Sequence, residues 1–522
     1  MSFSLFALAI AFLPAVFMLL ALLPAHFAKR IHAMWQGFYA LALLALAASI
    51  AALGLEYWSY FHELHPTHRL WFASTLFGAW VSVLVQFLGA VIIRFSARHL
   101  QGEPNQERYV QALALVLTSV HLLLLANHWW VLIAAWAAIG LAMHRLLVFY
   151  PERSFAQLAA HKKRVADRAA DVLLLAAAAC AWQACGSGYL TDLWQQAAQG
   201  ASLWLNACAL LLATAVILRT ALLPVHGWLI QVMEAPTPVS ALLHAGVVNL
   251  GGFVLVLFAP LLAVSEAARW LLVIVGAASA VLAGTVMLTR VSIKVHLAWS
   301  TLAQMGFMLL ECGLGLYSLA ALHLLGHSLY KAHSFLSASS QVKRTTQALL
   351  SGHVSLQPLS FFIAPLVAAT VVFTCHAFLA EQPWPWWWQA VLALAWAPLL
   401  WLPKSACIAH WATALLMVCG FSVAAFNVEL LPLNLTLQPF KQGGWLAFAS
   451  LLFMYVGFVG VLCLPKQHSA LRHWIYAGFY LDEIYTRMAL FLWPAQWVKT
   501  RPLALNKTPS KASAALSEAQ HA

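Results

Sequence analysis

The stretch LRTALLPVHGWLIQVMEAPTPVSALLHAG (218–246) places Arg219, His226, Glu234 and His244 in otherwise apolar sequence, together with Pro224, Pro236 and Pro238. Pro224 removes a helix hydrogen bond five residues after Arg219. Pro236 and Pro238 open the next apolar run, which carries His244. Ionisable groups beside broken helices are costly in lipid, and in membrane proteins they mark buried ion or substrate paths. The reading of this stretch therefore turns on whether the chain lies in a bilayer.

Composition answers that. The chain has 522 residues, 63% of them hydrophobic and only 8% charged, with a mean hydropathy of +0.82. A soluble domain carries about 25% charged residues. So few charges cannot cover a globule of this size, which excludes a soluble enzyme, a nucleic-acid binder and a disordered chain. The net charge of +12 orients the chain in the membrane rather than marking a nucleic-acid partner, because the bases sit between apolar runs.

A span needs about 20 apolar residues. Candidates are 3–25, 34–55, 70–93, 109–126, 128–149, 170–190, 202–222, 237–263, 269–289, 295–316, 317–338, 358–380, 387–403, 405–426 and 445–464. A weaker one, 474–497, is broken by Asp482, Glu483 and Pro494. The expected fold is an all-α polytopic membrane protein, with one transmembrane domain over 1–497 and a disordered basic tail over 498–522. The odd-numbered loops carry Lys29, Arg30, Arg94, Arg98, Arg153, Lys162, Lys163, Arg290, Lys294, Lys343, Lys404, Lys466 and Arg472, whereas the even-numbered loops are acidic. The positive-inside rule then puts the odd loops in the cytoplasm and the N-terminus outside. The first apolar run lacks a basic leader and reads as a retained helix. Trp384–Trp388 reads as an interfacial aromatic cluster.

Within the eleventh span, HLLGHSLYK (323–331) spaces His323, His327 and Lys331 by four and four, which places them on one helical face. Imidazole titrates near neutrality, so such a stripe can relay protons. The alternative is that each histidine simply bonds to a neighbouring carbonyl, which is the reading for His121 and His144. Asp171, three residues after Arg168, is either half of a local ion pair or the mouth of a proton path. The eight cysteines form no ligand cluster, so no cofactor or metal is expected in this chain.

The 218–246 stretch, IKVHLAWSTLAQMGFMLL (293–310) and ALHLLGHSLYKAHSFL (321–336) resemble the antiporter-like subunits of respiratory complex I and Mrp antiporters. LDEIY (481–485) resembles the start of the C-terminal region of the NuoL-like member. The resemblance is in register over about 94–343. It implies a bundle of about 14–16 transmembrane helices with two inverted five-helix repeats and broken helices.

Four departures from the family pattern stand out. The family glutamate of the fifth helix falls on Ala137 in WAAIGL (136–141), and the family lysine of the seventh helix falls on Arg219. Arginine keeps its proton, so Arg219 implies a fixed charge acting on His226 or His244. Its counter-charge is expected from Asp171, Glu234 or a partner carboxylate, with Glu234 favoured. The lysine of the twelfth helix has only His376 as a counterpart. The chain ends at Ala522, soon after the point where the lateral helix would begin, so that helix is expected to be missing.

This pattern resembles the NuoL-like membrane subunits of inorganic-carbon uptake complexes. It implies a proton- or sodium-conducting subunit in a bacterial inner membrane, paired with a DabA-like, zinc carbonic-anhydrase-like subunit that holds the catalytic metal. A proton-pumping subunit of a NADH dehydrogenase or hydrogenase, and a Na+/H+ antiporter subunit, are the alternatives.

Overall fold

The computed structural model describes residues 3–23, 30–63, 69–338, 357–379, 384–402, 407–427, 439–463 and 470–494. The tail 498–522 and the loop bases Lys29, Lys343, Lys404 and Lys466 lie outside the described residues. Among the described residues the chain is all helix, with only two isolated β-bridges.

The first half runs α1 (Phe3–Leu20), α2 (Ile31–Phe61), α3 (Leu76–His99), α4 (Gln106–Leu124), α5 (Trp129–Leu147), α6 (Ser154–Cys185), α7 (Leu190–Ala198) and α8 (Leu203–Arg219). The middle is broken: α9 (Gly227–Gln231), α10 (Thr237–Ala245), α11 (Leu250–Leu257) and α12 (Ala259–Ala263). Next come α13 (Glu266–Met287), α14 (Ile293–Leu314), α15 (Tyr317–Leu336), α16 (Ser360–Leu379), α17 (Trp386–Trp396), α18 (Ile408–Phe426) and α19 (Lys441–Cys463). Two short helices, α20 (Ala470–Tyr476) and α21 (Leu481–Leu492), finish the described chain.

Eight of the described helical stretches are long and apolar enough to cross a bilayer. Large apolar side chains such as Phe362, Phe378, Phe453 and Ile408 stand exposed on the outer helices. Water does not tolerate apolar surface on that scale, whereas acyl chains cover it. The protein is a multi-pass membrane protein. The α10–α11 region is almost entirely buried, and α16, α18 and α19 form a lipid-facing flank.

Two of the sequence boundaries move. Helix α6 starts at Ser154 rather than 170, so Lys162 and Lys163 are not loop residues but buried helical ones. The weak sixteenth span is instead the α20–α21 pair, turned at Gly478–Tyr480 with positive φ at all three residues. The tryptophan cluster also differs from expectation: Trp384, Trp387 and Trp388 are buried against the second apolar core and only Trp386 is exposed.

The breaks position the polar groups. Helix α8 ends at Arg219, and the chain runs non-helically to His226 before α9 begins. Pro236 and Pro238 do not break a helix; they start α10, as proline does at a first turn. The interruption falls instead at Gly246, followed by a 3-10 turn over Val247–Asn249. Helices α13 and α14 pack along their length. At their crossing a Cβ on Gly306 would lie 2.7 Å from the Gly276 carbonyl oxygen and 2.7 Å from the Ala280 nitrogen.

Candidate functional site

The first part of the site lies between α5, α6 and α8. The Arg219 guanidinium pairs with the Asp171 carboxylate, donates to the Trp136 carbonyl at 2.8 Å and faces the Trp136 ring. Asp171 also accepts from Arg168 at 2.9 Å, so it is both half of the local i,i+3 pair and the counter-charge of Arg219. One turn away Lys163 pairs with Asp167 at 2.5 Å, with both side chains buried. Gly140 keeps this space open: a Cβ there would sit 2.8 Å from an Asp167 oxygen. The carboxylate missing at Ala137 of α5 is thus supplied one helix later, from α6.

Glu234 is not that counter-charge. Its side chain is about half exposed and stands 3.9 Å from Arg153, itself exposed. It ends the short 3-10 turn after α9, and Arg153 also binds its backbone carbonyl at 2.7 Å. Fifteen residues of sequence separation misled, because the chain reverses in between.

The second part surrounds His226, at the head of α9. Its ring is fully buried, 5.3 Å from the Trp299 ring, with Nε2 lacking a partner. The charges acting on it are Asp482 and Lys162. The contacts of Arg219 go to Asp171 and Trp136 rather than to His226 or His244, contrary to expectation; His244 has Lys331 as its charged neighbour and stacks on Phe335 at 4.5 Å.

The third part follows α15. The Lys331 ammonium donates to the Ser300 hydroxyl and to the Leu297 carbonyl at 3.3 Å. His327 Nδ1 meets the Asn249 side-chain oxygen at 3.1 Å. The Asn249 amide donates to the Ser328 hydroxyl at 2.6 Å. In this network Nδ1 carries the proton, and Nε2 has no partner. His323 Nδ1 meets Glu311 at 2.9 Å, and that carboxylate is buried. The three residues span two helical turns, about 12 Å along the axis. Asn249 sits directly after the Gly246 break, which turns its amide towards His327.

His376 is not part of this chain of groups. Its ring accepts from the Trp384 backbone at 3.0 Å and packs on Phe426. His121 bonds the Ala11 carbonyl at 2.7 Å, as packing does. The sequence reading missed Lys162, Lys163, Asp167, Asp482, Glu311 and Asn249. The i,i+4 spacing of Lys163 and Asp167 was the one available signal. Among the described residues no group of three or more His, Cys, Asp or Glu could hold a metal ion.

A helical membrane bundle with interrupted helices around a buried row of acids, bases and imidazoles defines an antiporter-like membrane subunit. Residues 126–383 match the family described as NADH:quinone oxidoreductase/Mrp antiporter, transmembrane. The fold is similar to a chain of the Mrp complex from Dietzia sp., with a TM-score of 0.54 at 20% identity, over all of this chain and 59% of that one. The chain is 39% identical to the probable inorganic carbon transporter subunit DabB of Hydrogenovibrio crunogenus over 475 residues, 86% of this chain and 90% of the relative. It is 36% identical to DabB2 of Halothiobacillus neapolitanus, over 79% and 78% of the two chains. It is also 31% identical to NADH-quinone oxidoreductase subunit L of Mycobacterium tuberculosis, over 50% of this chain and 42% of the relative. The protein belongs to the DabB family.

Proposed function

We propose that this chain is the ion-conducting membrane subunit of an energy-coupled inorganic-carbon transporter in a bacterial inner membrane, with its N-terminus outside. Protons or sodium ions move inward along Glu311, His323, His327 and Lys331, and then past His226. The Asp171–Arg219 and Asp167–Lys163 pairs set the electrostatics beside that row. The ion flow drives a DabA-like, zinc-holding partner to hydrate CO2 in one direction. The observation that carries this reading is the set of buried acid, base and imidazole groups from α6 to α15 in a chain 39% identical to a probable inorganic carbon transporter subunit. The direction is energetically sufficient: a tenfold gradient costs about 1.4 kcal/mol, and one charge crossing 100 mV supplies about 2.3 kcal/mol.

The test is labelled bicarbonate uptake in cells whose gene is deleted and then restored. Uptake should return with the gene and collapse with a protonophore or a sodium ionophore, which also names the ion. Purified natively, the chain should bring a zinc-containing subunit with it; purified alone, it should neither bind stoichiometric zinc nor hydrate CO2. Co-purification of redox subunits instead would favour the second reading, a proton pump of a NADH dehydrogenase-like complex, which the half-length similarity to subunit L supports.

A further inference from the structure

Helix α21 turns two polar groups inward. Its outward face carries Ile484, Met488, Phe491 and Leu492 together with Glu483 and Arg487, all exposed, while Tyr485 and Ala489 are buried and Asp482 and Thr486 half-buried against the protein. Polar groups turned inward at membrane depth need a partner within the protein. That partner is Lys162 of α6. Its ammonium pairs with Asp482 at 2.5 Å and donates to Thr486 at 3.0 Å. The Tyr485 hydroxyl donates to the Lys162 carbonyl at 2.7 Å. Gln231 of α9 donates to the second Asp482 oxygen at 3.0 Å. The carboxylate rests directly over Gly227, where a Cβ would collide with it. A side chain at 227 would have to displace this carboxylate.

The two members of the pair are not equivalent. The Lys162 side chain is fully buried, whereas that of Asp482 is 27% exposed. The slot lies on the basic-loop side of the bundle, near Arg164 and Arg290, which is the cytoplasmic side by the positive-inside rule. The charged and titratable groups around Asp482 include Lys162 from α6, His226 at the head of α9, and Glu483 and Tyr485 on α21 itself.

We infer that Asp482 is the inner exit group of the path, with Lys162 as its counter-ion, an assignment that rests on the proton-conducting reading above. Protonated His226 passes its proton to the Asp482 carboxylate, leaving neutral imidazole and neutral carboxylic acid. The acid then gives the proton to cytoplasmic water and re-forms its pair with Lys162.

The experiment uses right-side-out membrane vesicles holding the native complex, an internal pH dye and an imposed potential, negative inside. Asp482→Asn keeps the shape and one acceptor oxygen for Lys162 but cannot carry a proton, so inward flux should fall about tenfold or more. Gly227→Ala, which leaves every titratable group in place, should also lose flux by expelling the carboxylate. Lys162→Met combined with Asp482→Leu removes both charges and refills the slot; it should keep normal protein levels and melting temperature yet stay inactive. Wild-type flux in that double variant would make Asp482 a mere strut and overturn the assignment. Wild-type flux in Asp482→Asn, with Lys331→Ala inactive, would overturn the exit while leaving the path standing. No proton flux in wild-type vesicles would overturn both.

Discussion

Lys331 is buried with one hydroxyl and one carbonyl as its hydrogen-bond acceptors, and among the described residues no carboxylate pairs with it. When its proton leaves, no opposite charge is stranded, which suits a relay. Lys331→Ala should therefore abolish uptake while the protein still inserts at normal levels, as blotting of membranes would show. Lys331→Arg should fail as well, because a guanidinium keeps its proton. Arg219 is the opposite case, tied to a carboxylate, a carbonyl and a ring. Arg219→Ala should lose about 1–3 kcal/mol of stability in detergent melting, since it leaves Asp171 with only its exposed partner Arg168. Adding Asp171→Ala should return part of that stability without returning uptake. Arg219→Lys keeps the charge and should retain partial uptake. Glu234→Ala should be neutral to within about 0.5 kcal/mol, as an exposed pair allows.

At the scale of elements, nearly every long apolar helix was legible, because a run of about 20 apolar residues suits a membrane and little else. The first half of α6 was not. Its bases Lys162 and Lys163 and the acid Asp167 lower the average hydropathy of 154–169, yet all three turn inward to partners that hydropathy does not see. The His323, His327 and Lys331 stripe was legible from helical period alone. Its acceptors Asn249, Glu311 and Ser300 come from other helices, and no local pattern announces them. The Gly246 interruption was equally hidden, since the neighbouring prolines drew the break to the wrong end of α10. The α13–α14 crossing gives this scale its prediction. Gly306→Val places methyl groups where the Gly276 carbonyl and Ala280 nitrogen already stand. It should cost about 1–3 kcal/mol, as overpacking does, read as a lower melting temperature of the purified chain.

For the whole molecule, the positive-inside rule applied to the basic and acidic loops predicts which way the proposed path runs. Cys407 is exposed just before α18, in a loop assigned to the cytoplasm. Hydrogen bonding to His410 lowers its thiol from the ordinary cysteine value, in the direction that favours the reactive thiolate. A membrane-impermeant maleimide should label it in inside-out vesicles and leave it untouched in intact cells. Labelling from the outside would invert the orientation, and the direction of transport with it.

The glycine contact between Gly276 and Gly306 leaves no layer of side chains between two long helices. Side chains are what let packed helices slide by changing rotamer; backbone against backbone has no such play. The α13–α14 pair is therefore a stiff beam through the middle of the protein. It carries Ser300 and Glu311, the acceptors of Lys331 and His323, at fixed heights. By contrast, the backbone is uncoiled at residues 220–226 and at Gly246. Those two places adjoin His226 and His244, outside the beam.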